Sequence, residues 1–214
     1  MMELIDPPVL SRREARRRDR RDAIIEVAQR SFLENGYAAT TMSAIAATLG
    51  GSKGTVWNHF PSKEDLFAAV LVHATEAYHA GMMQILDSRG ELEPTLRRFA
   101  TDMLRMVTSP RSIALQRLIV TESGRFPEMG AIFFETAPKN TRTLLAQFLT
   151  RAMEKGRLRT ADPALAARTL VTLILSGCHQ QMMWSQIDAP TAEQIEADVN
   201  HAVDCFLRAY APEG

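Results

Sequence analysis

Apolar residues recur three and four positions apart along almost the whole chain of 214 residues. That spacing follows the 3.6-residue period of a helix rather than the two-residue period of a strand. Runs of β-branched residues between turn signals are scarce, so the expected fold is all-α. Glycines, prolines and capping side chains divide the pattern. A first helix is expected over about 16–35, with Ile24, Val27, Ala28, Ser31 and Phe32 on one stripe and Gly36 ending it. Thr41 can cap a short helix over Met42–Leu49, closed by Gly50-Gly51, and Ser52 another over about Lys53–Phe60, halted by Pro61. Ser62 caps a longer helix over about 64–87, with Glu64 and Asp65 in the first turn, where the helix dipole favours acids. Helices over about 92–108, 111–124, 128–136, 138–156, 162–186 and 191–210 complete the chain; Asp162-Pro163 and Pro190-Thr191 open the last two.

Lys and Arg together equal Asp and Glu at 25 each, so net charge alone points to no acidic partner. The distribution says more. Arg12–Arg21 ("RREARRRDRR") packs seven arginines against two acids. Such a run is either a solvated, flexible arm or, if a DNA-reading element follows it, a phosphate-seeking one. Cys178 and Cys205 form neither a CxxC pair nor a Cys/His cluster with metal spacing, so no metal or cofactor is expected. No apolar run approaches the roughly 20 residues that span a bilayer, and no secretory h-region is visible. A reducing cytoplasm with both thiols free is the expected setting.

The stretch Gly50–Phe67 ("GGSKGTVWNHFPSKEDLF") has the look of a phosphate-holding loop. A nucleotide P-loop needs G-x-x-x-x-G-K-[ST] between a strand and a helix. Here the order is Lys53-Gly54-Thr55, and a helix precedes it. What remains is a helix, a tight turn and a helix within about twenty residues, a helix-turn-helix over about 41–60 whose second helix can enter a major groove. Ala44, Ile45, Leu49, Val56 and Phe60 supply the internal contacts. Lys53, Gly54, Thr55, Trp57, Asn58 and His59 form a segment too polar for core; Trp57 reads as an indole N–H donor to phosphate, with a core aromatic as the lesser alternative. Lys63, at the start of the next helix, fits a backbone phosphate clamp.

Phe32, Gly36-Tyr37, Thr40-Thr41-Met42, Ile45-Ala46, Ser52-Lys53-Gly54-Thr55, His59-Phe60 and Ser62-Lys63-Glu64-Asp65-Leu66 resemble the TetR/AcrR pattern of one-component bacterial repressors over about 20–67. This chain departs from the pattern at Trp57, where the family usually has Tyr, and at Gly51, where it usually has an apolar residue. The resemblance implies that Thr41, Lys53, Trp57, His59 and Lys63 touch sugar-phosphate. Lys53, Thr55 and Asn58 would face base edges, Ser52 would open the reading helix, and Gly54 would let the backbone approach. It also implies a flexible arm at 1–15, a DNA-binding domain at 16–66 with three helices in its head, and an effector-binding and dimerisation bundle at 67–214. "LIVTESGRFPEM" (Leu118–Met129) is similar to the C-terminal domain of AefR-like members.

One such head buries too little surface for specific binding, so a homodimer reading two half-sites is expected. Two stripes suit its interface: Leu165, Thr169, Thr172, Leu173, Ser176 and Gly177 on one of the last two long helices, and Ile195, Val199, Ala202, Val203 and Phe206 on the other. Both stripes fit intramolecular core as well. Between head and carboxyl end the chain is rich in Met and Phe. Phe99, Met103, Met106, Phe126, Phe133, Phe134 and Met183 are candidates to line an apolar pocket, with Glu122, Arg125, Thr172, Ser176, His179 and Gln180 as orienting polar groups.

The expected function is a transcriptional regulator, a repressor by family default, that binds a palindromic operator as a dimer and is released by a small apolar effector. An interaction protein or an activator without effector switching is the alternative. An enzyme using His179 or His59 with Glu122 lacks a nucleophile elbow, a metal cluster and a glycine-rich cofactor loop.

Overall fold

The computed structural model describes residues 11–50, 53–86 and 90–212, with Lys53 described by its backbone alone. They form α1 (Arg12–Ala39), α2 (Met42–Thr48), α3 (Lys53–Trp57), α4 (Lys63–Leu86), α5 (Leu92–Val107) and α6 (Pro110–Glu122). α7 (Pro127–Thr136), α8 (Pro138–Glu154), α9 (Pro163–Leu175), α10 (Cys178–Met183) and α11 (Ala192–Ala209) follow, with no strand among the described residues. The chain divides into two compact units, Met1–Val70 and Leu71–Gly214.

In the first unit, local signals decide the helix ends. Ser11 accepts from the Glu14 amide while the Glu14 carboxylate accepts from the Ser11 amide at 2.9 Å, a reciprocal cap. Residues 12–15, expected in a flexible arm, are therefore helical, and Arg12–Arg21 belongs to α1; residues 1–10 lie outside the described residues. At Gly36 the backbone takes φ 78°, a left-handed value that glycine adopts without a Cβ clash. The chain turns back there and lays Tyr37 against Phe32, ring centroids 5.5 Å apart and nearly parallel. Phe67 meets both rings edge-on at 5.3 Å. This aromatic trio, with Ile24, Ile25 and Ala28 of α1, is fully buried and fixes α1 against the start of α4. Ser62 caps α4, accepting from the Asp65 amide at 3.0 Å.

The second unit is built on α5, α8, α9 and α11, whose inward residues include Leu96, Phe99, Leu149, Leu170, Ile174 and Phe206, all nearly inaccessible to solvent. Two expectations are corrected here. The single helix foreseen over 162–186 is broken at Ser176-Gly177 into α9 and α10. The cause is tertiary: Asp198 of α11 accepts the Cys178 amide at 2.7 Å, so the carboxylate occupies the position a continuing helix would fill. The stripe Val199, Ala202, Val203 and Phe206, offered for the dimer interface, is covered by the unit's own core at 3% exposure or less. Core and interface stripes share one spacing, and α11 uses its stripe to pack on α5 and α9. On α9, by contrast, Leu165 is 46% exposed and Thr172 and Ser176 are exposed, while Thr169 and Leu173 are half-buried, Leu173 against the core.

Candidate nucleic-acid interface and ligand cavity

α2 and α3 are too short to hold themselves, so each buries one side and leaves the other to solvent. Thr41 caps α2 by accepting the Ala44 amide at 3.1 Å, Ile45 and Ala46 go inward, and Gly50 makes the turn at φ 63°. On the reading segment Val56 and Phe60 are buried, while Gly54, Trp57 and Asn58 are exposed and Thr55 is half-buried. The α-helix stops at Trp57, short of the expected Phe60; a turn closed by Phe60 N–H to Val56 C=O at 2.9 Å carries Asn58 and His59. Trp57, 40% exposed, is not a core aromatic. Ser52 and the Lys53 side chain lie outside the described residues.

His59 is half-exposed, and its pKa is lowered first by burial and then by Arg17, Arg21 and Arg20 of α1. Arg21 also stands 4.9 Å over the Phe60 ring. Arg17, Arg20 and Arg21 of the run thus lie near the carboxyl end of the Lys53–Phe60 segment. A Ser-x-x-Glu signature at Ser11–Glu14 is the sequence signal for that placement. Lys63 does not simply project: its Nζ donates to the Tyr37 carbonyl at 2.9 Å and the Thr40 carbonyl at 3.3 Å and lies 4.1 Å from the Tyr37 ring. It clasps the turn before α2, which orients the Thr41 cap.

In the second unit a cavity of about 200 Å³ opens among α4 to α9. Met103, Met106 and Phe133 line it as foreseen among the pocket candidates. Several candidates stand elsewhere. Phe99 is core at 1% exposure; Thr172, Ser176 and Gln180 lie off the cavity wall; Phe134 borders a separate recess of about 700 Å³ with Leu165 and Arg168. Glu122 and Phe126 are half-buried at the α6–α7 turn, where Arg125 stands 5.3 Å from the Phe126 ring. Met183 is half-buried on α10. His179 sits one bond behind the cavity wall, its Nε2 2.9 Å from Oε1 of Gln116, which lines the cavity.

The polar residues that line the cavity are Thr75, Tyr78, Ser112, Gln116, Thr141 and Arg142, which sequence reasoning missed. A polar residue on an otherwise apolar stripe was the available signal: Tyr78 shares the face of Leu71, Thr75 and Met82 at helical spacing. The Tyr78 hydroxyl and the Arg142 Nε are buried without a hydrogen-bond partner. Burial pushes the Tyr78 phenol well above its ordinary pKa of about 10, partly offset by the neighbouring Thr141 hydroxyl, with Asp102 adding to the rise. It stays protonated.

A helix-turn-helix whose second element exposes Gly54, Trp57 and Asn58 beside an arginine-lined helix defines a DNA-binding protein. The chain belongs to the TetR family of bacterial regulatory proteins. The model of that family's regulatory head matches residues 24–70, and the AefR-like transcriptional repressor C-terminal domain matches residues 94–212. AcnR of Corynebacterium glutamicum, an HTH-type transcriptional repressor, is 26% identical over 157 residues, covering 73% of this chain and 78% of AcnR. A TetR-family regulator from Mesorhizobium loti has a similar structure at TM-score 0.80 and 26% identity, covering 92% of this chain and 98% of its own. The flavonoid-responsive regulator FrrA matches at TM-score 0.77 and 34% identity, over 92% of this chain and 99% of its own. Membership of this family makes the chain a DNA-binding regulator rather than an enzyme. No described helix is long and apolar enough to cross a membrane.

Proposed function

We propose that the protein is a cytoplasmic repressor that binds a palindromic operator as a homodimer and leaves it when a small molecule occupies the cavity of the second unit. The exposed side of Lys53–Phe60, with Val56 and Phe60 buried behind it, carries the reading. Asn58 and Thr55 face base edges, Asn suiting adenine, with each good pair worth about 1–3 kcal/mol of discrimination. Lys53 joins them, and Thr41, Ser52, Trp57 and His59 take sugar-phosphate, with Gly54 allowing close approach. Lys63 acts on the same groups by holding the turn that orients Thr41. Dimerisation uses the outward side of α9, where Leu165 and Thr172 stand clear of the core, and the outward side of α11. The name of FrrA supports control by a small molecule. To carry the population from nearly all competent to nearly all incompetent, that molecule must prefer the released state by about 5.5 kcal/mol.

Selection of duplexes from a random pool by the purified chain tests the reading. The expected product is a pair of inverted half-sites about 34 Å apart or a multiple of it. A pool that emerges without enrichment removes sequence-specific repression and leaves the interaction-protein alternative.

A further inference from the structure

The cavity among α4 to α9 carries chemistry that a purely apolar effector would not use. Its lining includes one permanent cation, Arg142, and no carboxylate among the described residues. The Arg142 Nε–H is buried and lacks an acceptor, while the buried Tyr78 hydroxyl has only the neighbouring Thr141 hydroxyl beside it, without a hydrogen bond of ordinary geometry. Donors withdrawn from water and left unmatched are costly, and an anion supplying acceptor oxygens removes that cost. Tyr78 remains protonated under its burial and therefore offers an O–H. The rest of the wall, with Met103, Met106 and Phe133, favours a ring: thioether sulfurs and aromatic edges both pack well against π faces.

Size narrows the class. A cavity of about 150 Å³ is enough to admit benzene, so about 200 Å³ here suits one ring with a short substituent and a small polar group. Arg142 is also shared with the lining of the adjoining recess that Phe134 borders. We propose that the cavity binds a one-ring aromatic carboxylate, its ring among Met103, Met106 and Phe133 and its carboxylate held by Arg142 and Tyr78. This rests on the small-molecule control proposed above and names the class of molecule.

The test compares 4-ethylbenzoate with its neutral counterpart 4-ethylbenzamide by calorimetric titration of the full chain at pH 7.5. A charge-assisted pair predicts that the acid binds at least about tenfold tighter than the amide. Arg142→Met should bring the two within about threefold, leaving the amide unchanged; Tyr78→Phe should weaken the acid alone by a few-fold. Should Arg142→Met fail to fold, Arg142→Lys carries the comparison with a partial loss for the acid. Equal binding of acid and amide, a ratio that survives Arg142→Met, or no binding of either compound overturns the proposal. Operator affinity measured with each compound separates the two readings. An acid that binds through Arg142 yet leaves the operator occupied sinks release and spares the ligand class. A neutral compound that releases DNA as well as the acid does the reverse.

Discussion

A methyl group added at Gly177 would collide with the Asp198 carboxylate, which already accepts the Cys178 amide at 2.7 Å. Swinging the Asp198 carboxylate aside would give up that hydrogen bond. Gly177→Ala should therefore cost about 1–3 kcal/mol, the range for forced overpacking, and lower the melting temperature by several degrees. Asp198→Ala loses the cap but opens the space, so the double variant should be less destabilised than the sum of the two single ones. Strictly additive melting data would show that the clash is relaxed in solution. Burial first, and then the same carboxylate, push the Cys178 thiol up to about 12, which leaves it a small apolar filler rather than a nucleophile. Lys63 behaves in a related way: a lysine at a helix start reads as a phosphate clamp, but the carbonyls of Tyr37 and Thr40 hold it first.

At the scale of elements, α1 separates two kinds of recognition. Arg17, Arg20 and Arg21 lie near enough to His59 to lower its pKa, and on the proposed DNA-binding reading their place is against phosphates. Replacing all three by Ala should weaken binding to every duplex alike and shrink the slope of log affinity against log salt by about 0.9 for each phosphate no longer neutralised. Asn58→Ala should leave that slope and relax preference at one base pair. A titration series over operator variants in which the triple variant shifted base preference would reverse the assignment. Most of the helices were legible because their ends carry local signals: Gly36, Thr41, Ser62 and Asp162 all act within one turn. The break at Gly177 was not, because its cause is a carboxylate about twenty positions away. The helix-turn-helix of α2 and α3 was readable as a spaced motif, whereas the cavity is assembled from α4 to α9, and no local period announces which polar side chains converge there. Nor can spacing tell a stripe that packs inside the chain from one that packs on a second copy, as α11 demonstrates.

For the molecule as a whole, acidity acts through its partly buried histidines. His59, His79 and His179 all have pKa values lowered by burial as the first cause. The folded chain thus prefers them neutral, while the unfolded chain takes up protons near pH 6.5. Because the unfolded state binds more protons, stability is complete above about that pH and declines as pH falls below it. Thermal melts from pH 7.5 to 5.5 should show a falling transition temperature, flattened in part by His179→Gln. A transition temperature that climbs on acidification would contradict the lowered pKa of these rings. The capped start of α1 has its own thermodynamic sequel. Because Ser11 and Glu14 settle the helical course of Arg12–Arg21 before any duplex arrives, no coil needs to be ordered when those cations dock. That segment should add little to the heat-capacity change of association, and capture by it should lose none of its speed to a folding step.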